Sequence, residues 1–376
     1  MEFIANTGEL AKVLSVVTSI ASSREIGIYT GNILLEAEEG LLSLTTVDQE
    51  KALRNKLPST ILKKGSVLLP ARKLSELVKE FRYDTIKFIV DENYKVMIQN
   101  GNEELEKKFK TNIEIMGKSP EEFPIPFDVN GLDFVSLNPK IITEMIEKVF
   151  YASAIDDARI VFNGIFIEYK EDLLHFVATD GRRLSIIKRR ENNFLKSNSI
   201  ILPSRSIKEI LKLISNAENV EIAHNHKENQ IFIRINHIYF STQLIEGSFP
   251  DYNVVIPKDH PYKVELDRVD FINAIRQAMV FAPEPNKQVR LNFKNKLLMI
   301  ESSTPELGKV EDGIECDYNH TNLVIAFNSN YLLDVLESLQ CKTVLFSFKS
   351  SDAPVVIYDP EDNYFQSIVM PMKLQD

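Results

Sequence analysis

Three stretches of this chain repeat one pattern of apolar and polar positions. "LLPARKLSELVKEF" begins at Leu68, "ILPSRSIKEILKLI" at Ile201 and "AFNSNYLLDVLESL" at Ala326, offsets of 133 and 125 residues. In the first, Leu74, Leu77, Val78 and Phe81 fall at steps 0, +3, +4 and +7. Ile207, Ile210, Leu211 and Ile214 hold those steps in the second, and Leu332, Val335, Leu336 and Leu339 in the third. With about 3.6 residues per turn, such spacing places all four side chains on one helix face. A second pattern recurs in the same order: "ILLEAEEGLLSLTT" from Ile33, "IFIEYKEDLLHFVA" from Ile165 and "VRLNFKNKLLMIES" from Val289. Each predicts two strands around a polar turn, and their Leu-Leu pairs at 41–42, 173–174 and 297–298 are offset by 132 and 124. A further amphipathic helix opens each unit, at Leu10, Val13, Leu14 and Val17 and again at Ile142, Met145, Ile146 and Val149. Its third copy keeps Ile272, Ile275 and Met279, with Arg276 in the remaining place.

Three elements in one order at matching offsets describe a module written three times, about 125 residues each, a common domain size. The module reads helix, strands, helix, strands, which predicts an α+β fold with helices gathered on one face of antiparallel sheet. Proline-bearing polar stretches at 121–131 and 254–263 place the domains at 1–127, 128–257 and 258–376.

Composition narrows the setting. No apolar run approaches the roughly 18 residues of a membrane span, and "MEFIANTGELAK" lacks the basic start and apolar core of a signal peptide. Cys316 and Cys341 stand far apart without CxxC spacing, which suits core positions in a reducing cytoplasm. The net charge of −10 argues against a nucleic-acid partner unless the basic residues are segregated. They partly are. The helical segments 8–21, 70–82, 139–149, 203–214, 269–281 and 328–340 carry 0, +2, 0, +2, 0 and −2, so the remainder carries −12. Arg72 and Lys79 in the first copy match Arg205 and Lys212 in the second, seven residues apart on one helix face, and Lys73 and Lys208 add to it. The third copy has Asn330 and Glu337 at those places.

Catalytic signatures are absent or incomplete. "MGKSP" at 116–120 has the tail of a phosphate loop but Asn112 where the motif needs its first glycine. "HNH" at 224–226 puts two rings on one face of a predicted strand without a nearby Asp, Glu or Cys cluster, so neither a cofactor nor a metal is expected. "VATDGRRLSI", from Val177 to Ile186, raises a sharper question. Asp180-Gly181 between strands is a strong hairpin signal, since glycine tolerates positive φ. That leaves the adjoining Thr179, Arg182 and Arg183 unexplained, and the other two units have "TTVDQEK" and "SSTPELG" here. The middle unit is therefore expected to carry a binding surface of its own.

The combination of a threefold repeat with "LLPARKL", "TDGRRL" (179–184), "FPDY" (249–252), "FNSNYLLDVL" (327–336) and the closing "VMPMKL" (369–374) resembles the bacterial β sliding clamps, processivity subunits of replicative DNA polymerases. The likeness runs the whole chain in order. It implies three DNA-clamp domains with antiparallel sheets outside and helices lining one face, in a ring-forming homodimer that encircles double-stranded DNA without sequence preference. A closed ring needs only a weakly basic lining, and an acidic exterior discourages DNA from adhering elsewhere. The resemblance further implies a non-enzymatic cytoplasmic protein whose shared pocket takes short peptide motifs of the polymerase, the clamp loader and repair proteins. Carried over by position, the pocket is Phe162, Thr179, Gly181, Arg183, Leu184, Pro250, Val255, Tyr331, Val369, Met370, Pro371 and Met372. The flexible methionines suit varied apolar guests. Arg182 stands where relatives often have histidine and Val254 where many have arginine. Phe109 and Thr111 of one subunit are expected against Val280 and Phe281 of the other. DNA contacts are assigned to Arg24, Arg72, Lys73, Lys79, Arg205, Lys208 and Lys212. Two other readings stay open at this level. One is a hydrolase using Asp180 with Arg183 as an anion clamp, and the other a three-domain peptide scaffold that never encircles DNA.

Overall fold

The computed structural model describes residues 1–21, 29–108, 110–124, 126–127, 129–195, 199–305 and 308–374. The chain forms two compact units: 1–139 with 212–244, and 140–211 with 245–376. The middle module is thus divided between them, because its two halves contribute strands to two different sheets.

In the first unit, helices α1 (Thr7–Val17) and α2 (Ala71–Lys79) pack on each other, burying Leu10, Leu14, Val17, Leu74 and Val78. Asn6 caps α1 by accepting a hydrogen bond from the Glu9 amide at 3.0 Å. A short helix, α3 (Glu103–Lys108), was not visible as an apolar pattern because its sequence EELEKK is polar nearly throughout. One antiparallel sheet has five strands, with Ile113–Met116 at an edge. The other has eight, in the order Val135–Leu137, Val220–Asn225, Gln230–Ile235, Ile238–Gln243, Lys51–Pro58, Leu41–Val47, Asn32–Glu38 and Gly65–Pro70. Its strands 51–58 and 238–243 come from different modules and pair directly, Leu53 opposite Phe240. The proline-bearing stretch expected to be a boundary packs Phe123 and Phe127 against Ala223 and Phe232.

The second unit carries α4 (Pro139–Phe150), most of α5 (Ser204–Ile214), α6 (Arg268–Val280) and α7 (Ser329–Ser338). Its eight-stranded sheet runs Ile200–Pro203, Gly164–Lys170, Leu173–Thr179, Arg183–Arg189, Asp362–Val369, Val355–Asp359, Thr343–Phe348 and Tyr262–Asp267. Again two modules join by strand pairing, with Arg183 opposite Val369 and Ile187 opposite Phe365. A four-stranded sheet ends on the edge strand Gly308–Glu315. The repeated hairpins form as the spacing predicts, at 32–38/41–47, 164–170/173–179 and 288–294/297–304. Each module also opens with a strand (Glu2–Asn6, Val135–Leu137 or Tyr262–Asp267) that the sequence reading did not anticipate. Val135–Leu137 has only three residues, too few for alternation to stand out, whereas Tyr262–Asp267 alternates with Val264 and Leu266 buried, a signal overlooked beside the proline-bearing stretch at 254–263.

An ion cluster clasps the strand pair in this unit. Arg189 Nη2 lies 2.5 Å from Asp362 Oδ2 and 2.6 Å from Glu144 Oε1, and Lys148 Nζ lies 3.0 Å from Asp362 and 3.2 Å from Glu144. Burial alone would raise the pKa of Asp362. The hydrogen bonds from Arg189 and Lys148 outweigh it and hold the carboxyl below its ordinary value, and Glu144 is held down in the same way. The folded protein keeps these charges while the unfolded chain takes up protons near pH 4. Their stabilisation is therefore complete above about pH 5 and lost as the pH falls through the folded values. Asp362→Asn is expected to cost about 2 kcal/mol at pH 7 and to flatten the acid limb of stability, measured by urea unfolding between about pH 6 and 2.

Candidate functional site

The segment from Thr179 to Leu184 is a hairpin turn, and Thr179 pairs with Leu184 across it. Asp180 Oδ1 accepts from the amides of Arg182 and Arg183 at 2.8 and 3.0 Å, and its Oδ2 accepts from Arg183 Nε at 3.1 Å. Thr179 Oγ1 donates to the Arg183 carbonyl at 2.6 Å and accepts from the Gly181 amide at 3.0 Å. Gly181 has φ +86°, and a Cβ there would meet the Arg159 guanidinium at 2.7 Å. The positive φ is what calls for glycine here, since the guanidinium is the far end of a flexible side chain and can shift. Asp180 is thus spent on holding the turn.

Arg183 reaches inward from the turn. Its Nη1 lies 2.5 Å from Asp334 Oδ2 and its Nη2 donates to the Tyr151 carbonyl at 2.5 Å. Its guanidinium lies over Tyr331 at 4.5 Å and Tyr151 at 5.5 Å. The arginine therefore ties the turn to α4's end and to α7, which present Tyr151 and Tyr331. The C-terminal tail closes on the same turn: Val369 pairs with Arg183, the Met370 amide donates to the Arg182 carbonyl at 2.9 Å, and the Met372 amide to the Ala326 carbonyl at 2.7 Å. Met370 stays exposed while Pro371 and Met372 are half-buried.

Beneath lies an apolar floor. Leu184 packs with Val177, Ile186, Tyr252, Val356 and Ile368. Phe162 meets Phe249 edge-on at 6.0 Å, and Phe249 stacks on Phe166 at 4.7 Å. The turn Tyr252–Val255 buries Tyr252 in this floor and leaves Val254 and Val255 exposed, at 79% and 52%. Pro250 is also exposed. All twelve pocket residues expected from sequence lie in the second unit, and most are joined by these contacts. The sequence reading missed Arg159, Tyr151, Phe249 and Asp334. Arg159 covers the Phe162 ring at 4.4 Å, donates to the Asp180 carbonyl at 3.0 Å and is held by Asp157. Nothing local marks Arg159, whereas Phe249 opens the noted "FPDY".

The basic helix faces are uneven. Arg72, Lys73 and Lys79 are exposed on α2, and Arg205, Lys208 and Lys212 on α5. Arg205 pairs with Asp156 at 2.6 Å, an acid distant in sequence and not weighed in counting helix charge. Arg276 of α6 pairs with Glu337 of α7 at 2.8 Å. Arg24 and Phe109 lie outside the described residues. Thr111 is half-buried, its amide on Glu106 Oε1 at 3.1 Å, beside the edge strand Ile113–Met116. Val280 is 69% exposed, and the carbonyl of half-buried Phe281 accepts from Thr304 at 2.8 Å. The rings of His224 and His226 lie 4.0 Å apart, and burial, with His226 beside it, pushes His224 down to about 4. Among the described residues no group of three or more His, Cys, Asp or Glu could hold a metal ion, and no helix is long and apolar enough to cross a membrane.

Comparison with known proteins then decides the family. Models of the N-terminal, central and C-terminal domains of the DNA polymerase III beta subunit match residues 1–125, 136–251 and 253–373 in succession. The chain belongs to that family. The beta sliding clamp of Haemophilus influenzae is 27% identical over 376 residues, covering 100% of both chains. That of Staphylococcus epidermidis is 26% identical over 382, covering 99% of this chain and 97% of the relative. The crystal structure of the DNA polymerase III subunit beta from Pseudomonas aeruginosa is 27% identical over the full length of both, with a TM-score of 0.91. A second structure from that organism, bound to griselimycin, is 27% identical with full coverage of both chains and a TM-score of 0.90. The Bacillus subtilis clamp has a TM-score of 0.93 at 24% identity over both full lengths, a likeness of fold. The threefold repeat is therefore three clamp domains of antiparallel sheet and helices.

Proposed function

We propose that this chain is a DNA sliding clamp, a non-catalytic processivity factor that closes as a homodimer around duplex DNA in the cytoplasm. The observation that carries the reading is the match of all three repeats, in order, to the three domains of the beta subunit. We take the domains to be 1–127, 128–257 and 258–376. DNA is held topologically, and exposed Arg72, Lys73, Lys79, Lys208 and Lys212 supply the weak, register-independent attraction that lets it slide. Arg205 contributes less, being paired with Asp156. Two edge strands, 113–116 and 308–315, offer unpaired backbone groups for subunit joining beside Thr111 and Val280. Partners dock extended peptides across Phe162, Thr179, Gly181, Arg183, Leu184, Pro250, Val255, Tyr331 and the Val369–Met372 tail. The engagement of Asp180 in its turn favours this over hydrolysis, because both carboxylate oxygens are occupied in the folded state.

The test is topological. Loaded onto nicked circular DNA by a clamp loader, the protein is expected to stay on the circle and to run off once the DNA is linearised. Retention after linearisation defeats the ring. A solution mass that stays monomeric at micromolar concentration would leave the peptide scaffold as the surviving reading.

A further inference from the structure

Under the wall formed by residues 249–256 lies a polar group of side chains that the docking reading does not use. Glu168 and His175 face each other across neighbouring strands, with Lys188 next to His175 on the third. They share a sheet face with Phe166 and Val177, two residues along each strand. Tyr252, the buried anchor of the turn that presents Val254 and Val255, donates its hydroxyl to Glu168 Oε1 at 2.5 Å. His175 Nδ1 lies 3.3 Å from the same hydroxyl and 3.7 Å from Glu168 Oε1. The tyrosine has one proton and gives it to Glu168, so His175 must donate from Nδ1, which leaves Nε2 as the bare nitrogen. That Nε2 is buried without a hydrogen-bond partner, in a side chain 97% buried.

An aromatic chain connects this group to the candidate pocket. The Tyr252 ring meets Phe166 at 6.3 Å, Phe166 stacks on Phe249, and Phe249 abuts Phe162. Residues 252–255 form a single 3-10 turn, held by its own backbone hydrogen bonds. Asp251 caps the turn from the exposed side, through Asn253. The hydroxyl of Tyr252 is its buried polar tether.

We propose that Glu168, His175 and Tyr252 are positioning residues for the 249–256 wall of the peptide pocket, and that protonation of His175 loosens the wall and weakens peptide binding. The proposal rests on the peptide-docking reading for its functional half. Its physical basis is the unpartnered Nε2. A proton there makes a buried cation whose new N–H has no acceptor, a costly arrangement. Opening the wall admits water to it. The groups facing His175 are Glu168 and Tyr252, Lys188 on the next strand, and Lys170 and Glu171 in the adjoining turn. Burial first, then Lys188, lowers the pKa of His175, against the opposing pull of Glu168 and Glu171. The closed wall thus excludes a proton that the open wall accepts near the ordinary histidine pKa of about 6.5. Closure is complete above that value and declines as the pH falls below it.

The probe is griselimycin, the ligand of the Pseudomonas aeruginosa clamp, with binding measured by calorimetry on the full-length protein. Tyr252→Phe and Glu168→Ala are expected to weaken binding about tenfold at pH 7.5, and Glu168→Gln, which keeps an acceptor for the hydroxyl, to recover most of it. Between pH 7.5 and 5.5 the wild-type affinity should fall by up to about tenfold, and His175→Leu should remove that fall. An unchanged pH profile in His175→Leu overturns the switch. Amide hydrogen exchange of the free protein decides positioning independently: the variants should speed exchange in 250–256 and leave strands 164–170 and 173–179 protected. Unaltered exchange in that segment defeats the proposal, even if griselimycin binds. Faster exchange there upholds positioning even if wild type fails to bind griselimycin, a result that counts against the docking reading alone.

Discussion

Arg183→Ala is expected to lower the stability of the second unit by about 3 kcal/mol, because one side chain satisfies groups from three elements. Its loss strips Asp180 Oδ2 and Asp334 of their cation and the Tyr151 carbonyl of its donor, and leaves Tyr151 and Tyr331 without the guanidinium between them. The Arg183 side chain is only 10% exposed, so water replaces those hydrogen bonds poorly. In a unit of this size the change corresponds to a midpoint shift of roughly 6–12 °C, which calorimetry would read directly. Arg183→Lys should rescue little, since an ammonium cannot reproduce the planar fork that reaches Asp180, Asp334 and Tyr151 together. A variant melting within a degree of wild type would show that the arginine is dispensable to the turn.

Removing residues 370–376 should abolish peptide docking while sparing the fold. Val369 is fully buried at the end of its strand, so a cut before it would damage the sheet, and the informative cut falls after it. Beyond that point the tail is held by the Met370 and Met372 amides and by Gln288 donating to the Lys373 carbonyl at 3.0 Å. Each is worth about 1 kcal/mol. The two methionines offer a guest peptide some 3–5 kcal/mol of apolar contact, so affinity should fall at least about a hundredfold. Titration of a fluorescent partner peptide against the truncated protein measures this, and its subunit mass should match wild type. Full affinity in the truncated protein would take the tail out of the site.

Much of this was legible in the chain before any coordinates. Local order is governed by spacing: Leu74 and Val78, or Ile207, Ile210 and Ile214, lie on one helix face through backbone geometry alone, and the structure buries them. The Asp180-Gly181 turn was equally plain, since positive φ at one position is a demand that glycine meets by itself. Repetition extended these local readings to three modules.

Long-range pairing was not legible. No periodicity says that strand 51–58 takes 238–243 as its neighbour, or that 183–189 takes 362–369. Strand edges are chemically alike along the backbone, so the partner is selected by how whole modules pack. The same holds for charge. Counting residues made Arg205 an uncommitted cation, whereas folding brings Asp156 to it from 49 positions away. Sequence determined the modules, their helices and the turn, because those depend on neighbours within a few residues. Tertiary structure alone decided which modules share a sheet, which charges are cancelled, and that a buried histidine sits beneath the wall of the candidate pocket, because each depends on groups that only packing brings together.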